Sequence, residues 1–319
     1  MSFQYQAGQV YFDSGVLGST SSVPLQRITN VRITDSISRT NVMVLNRGKP
    51  LAQRPINNYI PSEMAVEYVK SDSSPEYIFG LANSTGIVTN LVNTNATNAT
   101  YGIRNASVYF AKINSANFNG VINLSSGVLT NYSLQGTVGE PVRASVTYQF
   151  LDRNQATTTN ARSTTDYNTS LVKPENVILN GINFTGLGIT GMTVQSFSLG
   201  IGFTRNAIHN LGSRYPLERP ITDVTATLQL QGYTEGFNNT LTGLGVYNNG
   251  DPIYGSFSMT LYPTGDTSSP TTYTFTNPYL ETQEISSQVG GFTTASIGFS
   301  FPIGPNPLET GNGSVITIL

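Results

Sequence analysis

Two segments of this chain match without a gap: VGEPVRASVTYQF at 138–150 and VGGFTTASIGFSF at 289–301. Val138 falls on Val289, Gly139 on Gly290, Ala144 on Ala295, Ser145 on Ser296 and Phe150 on Phe301. Upstream, RTNVMVLNRGKPLAQRPIN (39–57) matches TRNAIHNLGSRYPLERPIT (204–222), with Arg54-Pro55-Ile56 on Arg219-Pro220-Ile221, Lys49 on Arg214 and Asn41 on Asn206. Strand patterns flank both copies of this second match: VRITDSIS (31–38) and FSLGIGFT (197–204) before it, MAVEYV (64–69) and VTATLQLQ (224–231) after it. In the last of these Val224, Ala226, Leu228 and Leu230 alternate with polar residues, which puts one face on a core and the other outward. Four landmarks in one order predict a tandem duplication, and any fold for the chain has to be built twice. The two matches have different offsets, which gives the first copy about fourteen extra residues, and NLVNTNATNATYG (90–102) is the place expected to hold them.

Composition sets the class of the repeated unit. Of 319 residues only 11% are charged, while Tyr (17) and Phe (15) are plentiful among many Thr, Ser, Asn and Gly, a mixture that suits pleated, half-buried strands. Each copy is therefore expected to be a β-sandwich or open barrel of about seven strands with at most one short helix. That helix is expected in SSPEYIFGLANSTG (73–86), with Ser74 as N-cap, Pro75 at the first helical position and Asn83 or Gly86 as the stop. TEGFNNTLTGLG (234–245) is its weaker counterpart. The polar stretch 152–176 reads as the connection, so the domains are expected at 1–160 and 177–319 with a linker at 161–176. There is no cysteine, no amino-terminal signal pattern and no apolar run near the roughly 20 residues that span a bilayer, so manufacture in a reducing cytoplasm and no membrane partner are expected.

Motifs that resemble catalytic or cofactor sites lack the context their chemistry needs. GLGITG (186–191) has the dinucleotide spacing, but a strand pattern rather than a helix follows it, so it reads as a turn. His209 is the only histidine and falls opposite Val44 in the other copy, which reads as a surface side chain and leaves no transition-metal set. Asp72 with Glu76, and Glu281 with Glu284, are carboxylate pairs that nothing places in a cleft, and they read as surface charge rather than an acid–base couple. No enzyme activity, metal or cofactor is expected. What recurs is a long loop, 40–61 and again 205–222, carrying cationic residues. Loops of that length in compact domains usually have a task. The basic residues divide unevenly: 12 of the 16 lie in residues 1–172, and none follows Arg219. A basic arm and an acid-rich second copy suit contact between copies.

The order of strand, long loop ending RPI, strand, short helix, strands and a closing VG…AS strand resembles that of the tail tube proteins of long-tailed bacteriophages, over about 27–150 and 194–301. The resemblance implies β-sandwich domains with a flanking helix, six to a ring, and rings stacked head to tail into a tube for DNA. With two domains fused, a ring needs three chains. It also implies that the long loop reaches the adjacent ring, which makes Arg47, Lys49, Arg54, Arg214 and Arg219 candidate inter-ring contacts. The implied partners are other copies of the chain, a tape measure protein, tail terminator and baseplate proteins, a sheath in a contractile tail, and DNA in transit without sequence-specific binding. The implied location is the virion tail, assembled in the host cytoplasm. Two alternatives are a baseplate hub or distal tail protein, and a tandem β-sandwich that binds carbohydrate, which would want an aromatic platform that this Trp-free chain does not advertise.

Overall fold

The computed structural model describes residues 5–13, 22–35, 42–46, 49–53, 61–82, 86–87, 91, 103–112, 117–158, 171–182, 189–211, 216, 218–237, 256–265, 270–287, 289–303 and 315–319. They form a mostly β fold of antiparallel sheets with one short helix. The amino-terminal half contributes β1 (Tyr5–Asp13), β2 (Ser22–Leu25), β3 (Ile28–Thr34), a hairpin of β4 (Val42–Asn46) and β5 (Lys49–Gln53), β6 (Ser62–Val69), α1 (Ser74–Phe79), β7 (Ile103–Lys112), β8 (Gly120–Thr137), β9 (Arg143–Phe150) and β10 (Asp152–Ala156). The carboxy-terminal half contributes β11 (Val172–Asn180), β12 (Ile189–Thr190), β13 (Thr193–Arg205), β14 (Ile221–Tyr233), β15 (Gly236–Phe237), β16 (Phe257–Pro263), β17 (Thr271–Thr276), β18 (Tyr279–Ser286), β19 (Thr294–Ile303) and β20 (Val315–Ile318).

Eight strands run side by side through both halves in the order β3-β6-β9-β8-β13-β14-β19-β18. The first four and the last four carry the same ladder. In β3 and β6, Ile28 faces Tyr68 and Asn30 faces Glu67, which leaves Thr29 as a bulge. In β13 and β14, Val194 faces Gly232 and Ser196 faces Gln231, leaving Gln195 as the bulge. Laying one bulge on the other sets Thr29 on Gln195 and Tyr68 on Gly232. The second bulge recurs as well. Thr130 is skipped between Leu129↔Tyr148 and Asn131↔Thr147, and Glu281 is skipped between Leu280↔Phe299 and Thr282↔Gly298. Tyr148 and Phe299, beside these two bulges, are the same two residues that the letter match pairs. A bulge re-aims a strand, and a one-residue slip would turn every side chain to the wrong face. Two bulges at matching places therefore mean that both halves share register as well as order.

One face of the eight-stranded sheet is buried under a second layer of strands. In the amino-terminal half β8 is long enough to serve both layers: its first part pairs with β7 and β10, its second with β9 and β13. The carboxy-terminal half divides the same job between β17, which pairs with β16 and β20, and β18. The chain turns at Asn277, φ 52°, and Ser126 within β8 has the same left-handed backbone at φ 54°. Aromatic residues fill the space between layers. Tyr148 of β9 meets Phe12 of β1 at 5.3 Å between ring centres, and Phe299 of β19 meets Phe257 of β16 at the same distance. Alternation decides this placement: Ala144, Val146, Tyr148 and Phe150 are all buried, as are Ala295, Ile297, Phe299 and Phe301.

Three local expectations change. Strands occupy both ends of the stretch read as a linker, with β10 at Asp152–Ala156 and β11 from Val172. Both lie at sheet margins, where polar residues pair without periodicity. The loop 40–61 contains the β4–β5 hairpin, whose strands are too short to show alternation. Its counterpart keeps only the Ile208–Glu218 bridge among its described residues. Helix α1 ends earlier than expected because Gly80, at φ 75°, takes the left-handed cap position that lacks a Cβ penalty. Ser73 and not Ser74 stands at its N-cap, and the Asp72 carboxylate accepts the Ser74 N–H at 2.9 Å. Of 234–245, where the weaker helix was expected, Gly236–Phe237 form β15 and 238–245 lie outside the described residues, as does the insertion 90–102 apart from Leu91.

The junction between halves buries a polar cluster. Glu76 of α1 accepts hydrogen bonds from the hydroxyls of Tyr132 (2.8 Å), Tyr68 (3.3 Å) and Tyr273 (3.3 Å), and its other oxygen pairs with the Lys70 ammonium. Tyr273 comes from the carboxy-terminal half, so this cluster ties the two halves together. Burial, then the neighbouring Glu76 charge, holds all three phenols above their usual value of 10.0. Groups with a raised folded pKa give stability that is complete below the unfolded value and lost as pH climbs through the folded one. Burial lowers Lys70, which acts in the opposite sense but only up to its unfolded value of 10.5, so above that pH the tyrosines decide the slope. The urea midpoint is expected to fall progressively above pH ~10. Phenolate absorbance from this cluster should appear only with unfolding, and its titration in native protein near pH ~10 would contradict the account.

Candidate assembly interface

The eight-stranded sheet has two ends. Among the described residues β3 pairs only with β6, and β18 only with β19. By ladder position β3 corresponds to β13, and β18 to the second part of β8. Those two strand types already meet once inside the chain, at β8–β13, from Thr137↔Ser196 to Asn131↔Gly202. The internal junction is therefore a pairing of the same two strand types that stand at the ends of the sheet among the described residues.

That junction is built from both faces. On the core side Tyr132 and Leu134 of β8 and Phe197, Leu199 and Ile201 of β13 are buried. Gly136 lies opposite Phe197, where a Cβ would come within 2.3 Å of the ring, so glycine makes room for the aromatic side chain. At one rim two arginines clasp the neighbour's backbone. Arg205 donates from Nε to Leu129 O at 3.1 Å and from Nη1 to Arg219 O at 3.0 Å. Arg219 donates from Nη1 to Gln149 O at 3.0 Å and from Nη2 to Ser126 O. Burial, together with the adjacent Arg219 charge, lowers Arg205 to about 10. It remains a cation at neutral pH.

The exposed side of the sheet is polar but almost without charge. Between Arg143 at one rim and Asp223 at the other, β9, β8, β13 and β14 present Ser, Thr, Asn, Gln and Gly, as in Thr225, Thr227, Gln229 and Gln231. Its remaining charges, Arg32, Glu63, Glu67, Glu281 and Glu284, stand on outer strands. Uncharged hydroxyls and amides offer phosphates no fixed counter-charge.

The candidate contact residues separate. Arg47, Arg54 and Arg214 lie outside the described residues, and Lys49 opens β5. Arg219 turns back onto the amino-terminal half, so its guanidinium is occupied within the chain and is not a free inter-ring arm. By the ladder of β3 and β13 Arg39 is the sequence counterpart of Arg205, and by the letter match Arg54 is that of Arg219; Arg39 also lies outside the described residues. Of GLGITG, 186–188 lie outside the described residues and Ile189–Thr190 form β12, with strand β13 following; His209 is exposed, as the sequence suggested. Glu281 and Glu284 are exposed, with Glu281 accepting from the Ser300 hydroxyl. Glu76 differs from expectation, being fully buried with Lys70 rather than a surface carboxylate. Nothing in VEYVKSDSSPEY marks that pairing, because strand and helix bring it together only in three dimensions. No cluster of metal-ligating side chains occurs among the described residues. No protein-family model and no curated protein matches the chain.

Proposed function

We propose that this chain is a structural tube subunit of the phage tail type, a tandem duplicate whose three copies close into a ring around a channel for DNA. The observation that carries the reading is that β3 and β18, which have one sheet neighbour each among the described residues, are the two strand types that already join at β8–β13. Such a contact is heterologous and repeats from chain to chain until it closes. Closure removes the exposed edges that would otherwise invite aggregation. Eight strands per chain give three copies a pseudo-sixfold barrel, and the polar, sparsely charged face of the sheet becomes its lumen wall. DNA and a tape measure protein pass such a wall without being held, while terminator, baseplate and, in a contractile tail, sheath proteins meet the outside or the ends.

Rings then stack through the β4–β5 hairpin and its counterpart loop. Arg47, between the two hairpin strands in sequence, and Lys49, at the start of β5, are assigned to the next ring. Arg54 is moved to the contact within the ring, because its counterpart Arg219 clasps the adjacent half. Replacing Arg47 and Lys49 with Ser is expected to leave rings intact and suppress stacking, whereas Arg54→Gln is expected to weaken the rings themselves. Sedimentation of each variant distinguishes the two, and identical behaviour of both would contradict the division. The functional reading itself is tested by negative-stain microscopy of the concentrated protein. Open-channelled rings or tubes are expected, and a monodisperse monomer at every concentration would overturn it.

A further inference from the structure

We infer that β18 of one chain adds to β3 of a second copy in one defined register, with Ile33 opposite Ile285 and Thr34 opposite Glu284. This rests on the ring reading and adds the residues that make the seam. The register follows by transposing the internal junction. In that junction Leu199 faces Leu134 and Gly200 faces Ser133. With the bulges superposed, Thr29 on Gln195 and Thr130 on Glu281, the ladders carry β13 onto β3 and the second part of β8 onto β18. Leu199 and Gly200 thus become Ile33 and Thr34, and Leu134 and Ser133 become Ile285 and Glu284.

Burial at the two edges agrees with a missing neighbour. Leu134, Phe197 and Leu199 are buried at the internal junction, while Ile285, Val31 and Ile33, in the same ladder positions at the free ends, are only half-buried though packed on the core. A second copy in this register covers them. On the opposite face Glu284 sits diagonally across from Arg32, close enough for their side chains to meet across antiparallel strands. Both are exposed. A slip of one residue would set Ile33 against a face-reversed neighbour and lose both the apolar and the charged match.

The seam is not a copy of the junction in one respect. The positions of Tyr68 and Tyr132, which bind Glu76, become Gly232 and Gln283, and Phe197 becomes Val31. The lock that joins halves is absent between chains, so rings come apart at three seams into whole subunits.

The chain has no cysteine, so paired substitutions report the register cleanly. Within one chain the two edges are separated by seven strand spacings, about 34 Å, which prevents an intramolecular bond. Under mild oxidation Thr34→Cys/Glu284→Cys is expected to give covalent dimers and closed covalent trimers. Thr34→Cys/Ser286→Cys and Thr34→Cys/Thr282→Cys, which are two positions out of register, are expected to link far less. Native mass spectrometry on unoxidised samples reads ring formation separately. Trimeric rings that link best through a shifted pair would overturn the register and leave the ring. Absence of both rings and links would overturn the ring and the register together. Links joining two Thr34→Cys positions of different chains would show a two-fold edge contact and overturn the head-to-tail seam.

Discussion

Glu76→Ala will destabilise the chain by about 3–5 kcal/mol, the cost of leaving one partner of a buried ion pair behind. The substitution strands the Lys70 ammonium and withdraws the common acceptor of Tyr68, Tyr132 and Tyr273, all inside the core. Because Tyr273 belongs to the other half, the loss also loosens the junction between halves. Lys70→Met/Glu76→Leu removes both charges at similar volume and is expected to recover the part of the deficit due to the stranded ammonium but not the part due to the three hydroxyls, so its stability falls between the parent and Glu76→Ala. Urea unfolding of the three proteins checks this. A Glu76→Ala cost below about 1 kcal/mol, the range of a surface pair, would contradict the buried lock.

Ile285→Lys will abolish ring formation while leaving the subunit folded. Ile285 stands on the outermost strand and is half-buried, so a lysine there can carry its ammonium past the edge into water. In the ring the same side chain would be enclosed opposite Ile33 with no counter-charge. An inward-pointing lysine on an edge strand is a known obstacle to strand addition. Assembly should weaken by at least about a hundredfold, the equivalent of roughly 3 kcal/mol per seam. Leu134→Lys places the same change at the internal junction, where the neighbour is covalently present, and is expected to unfold the protein. Sedimentation and thermal melts separate the outcomes. An Ile285→Lys variant that forms rings at parental concentrations would show that this edge is not the seam.

How much of this was legible depends on where information sits along the chain. Alternation in VTATLQLQ and ASVTYQF marks buried faces directly, and the strands fall where that alternation runs. The letters of the long loop match in one frame, but the ladders slip by one position against that frame in the strands on either side of it. A loop tolerates a slip that a strand cannot, so the letters alone place Arg39 on Thr204, while the ladder places it on Arg205. Bulges at Thr29 and Thr130 leave no mark in composition, since the skipped residue is ordinary. β10 and β11 read as linker because edge strands with polar sequences pair through the backbone. Glu76 and Lys70 were invisible as partners because their contact depends on how α1 packs beneath the sheet. The two free ends of the sheet could be seen only once the strand order was known.

The most direct test of the account is the number of chains in an isolated ring, read by native mass spectrometry together with microscopy class averages. Three chains per ring, each supplying two similar wedges around an open channel, is the result expected from a sheet that repeats its own edge chemistry every four strands. Six chains per ring, or a closed two-chain particle, would contradict it.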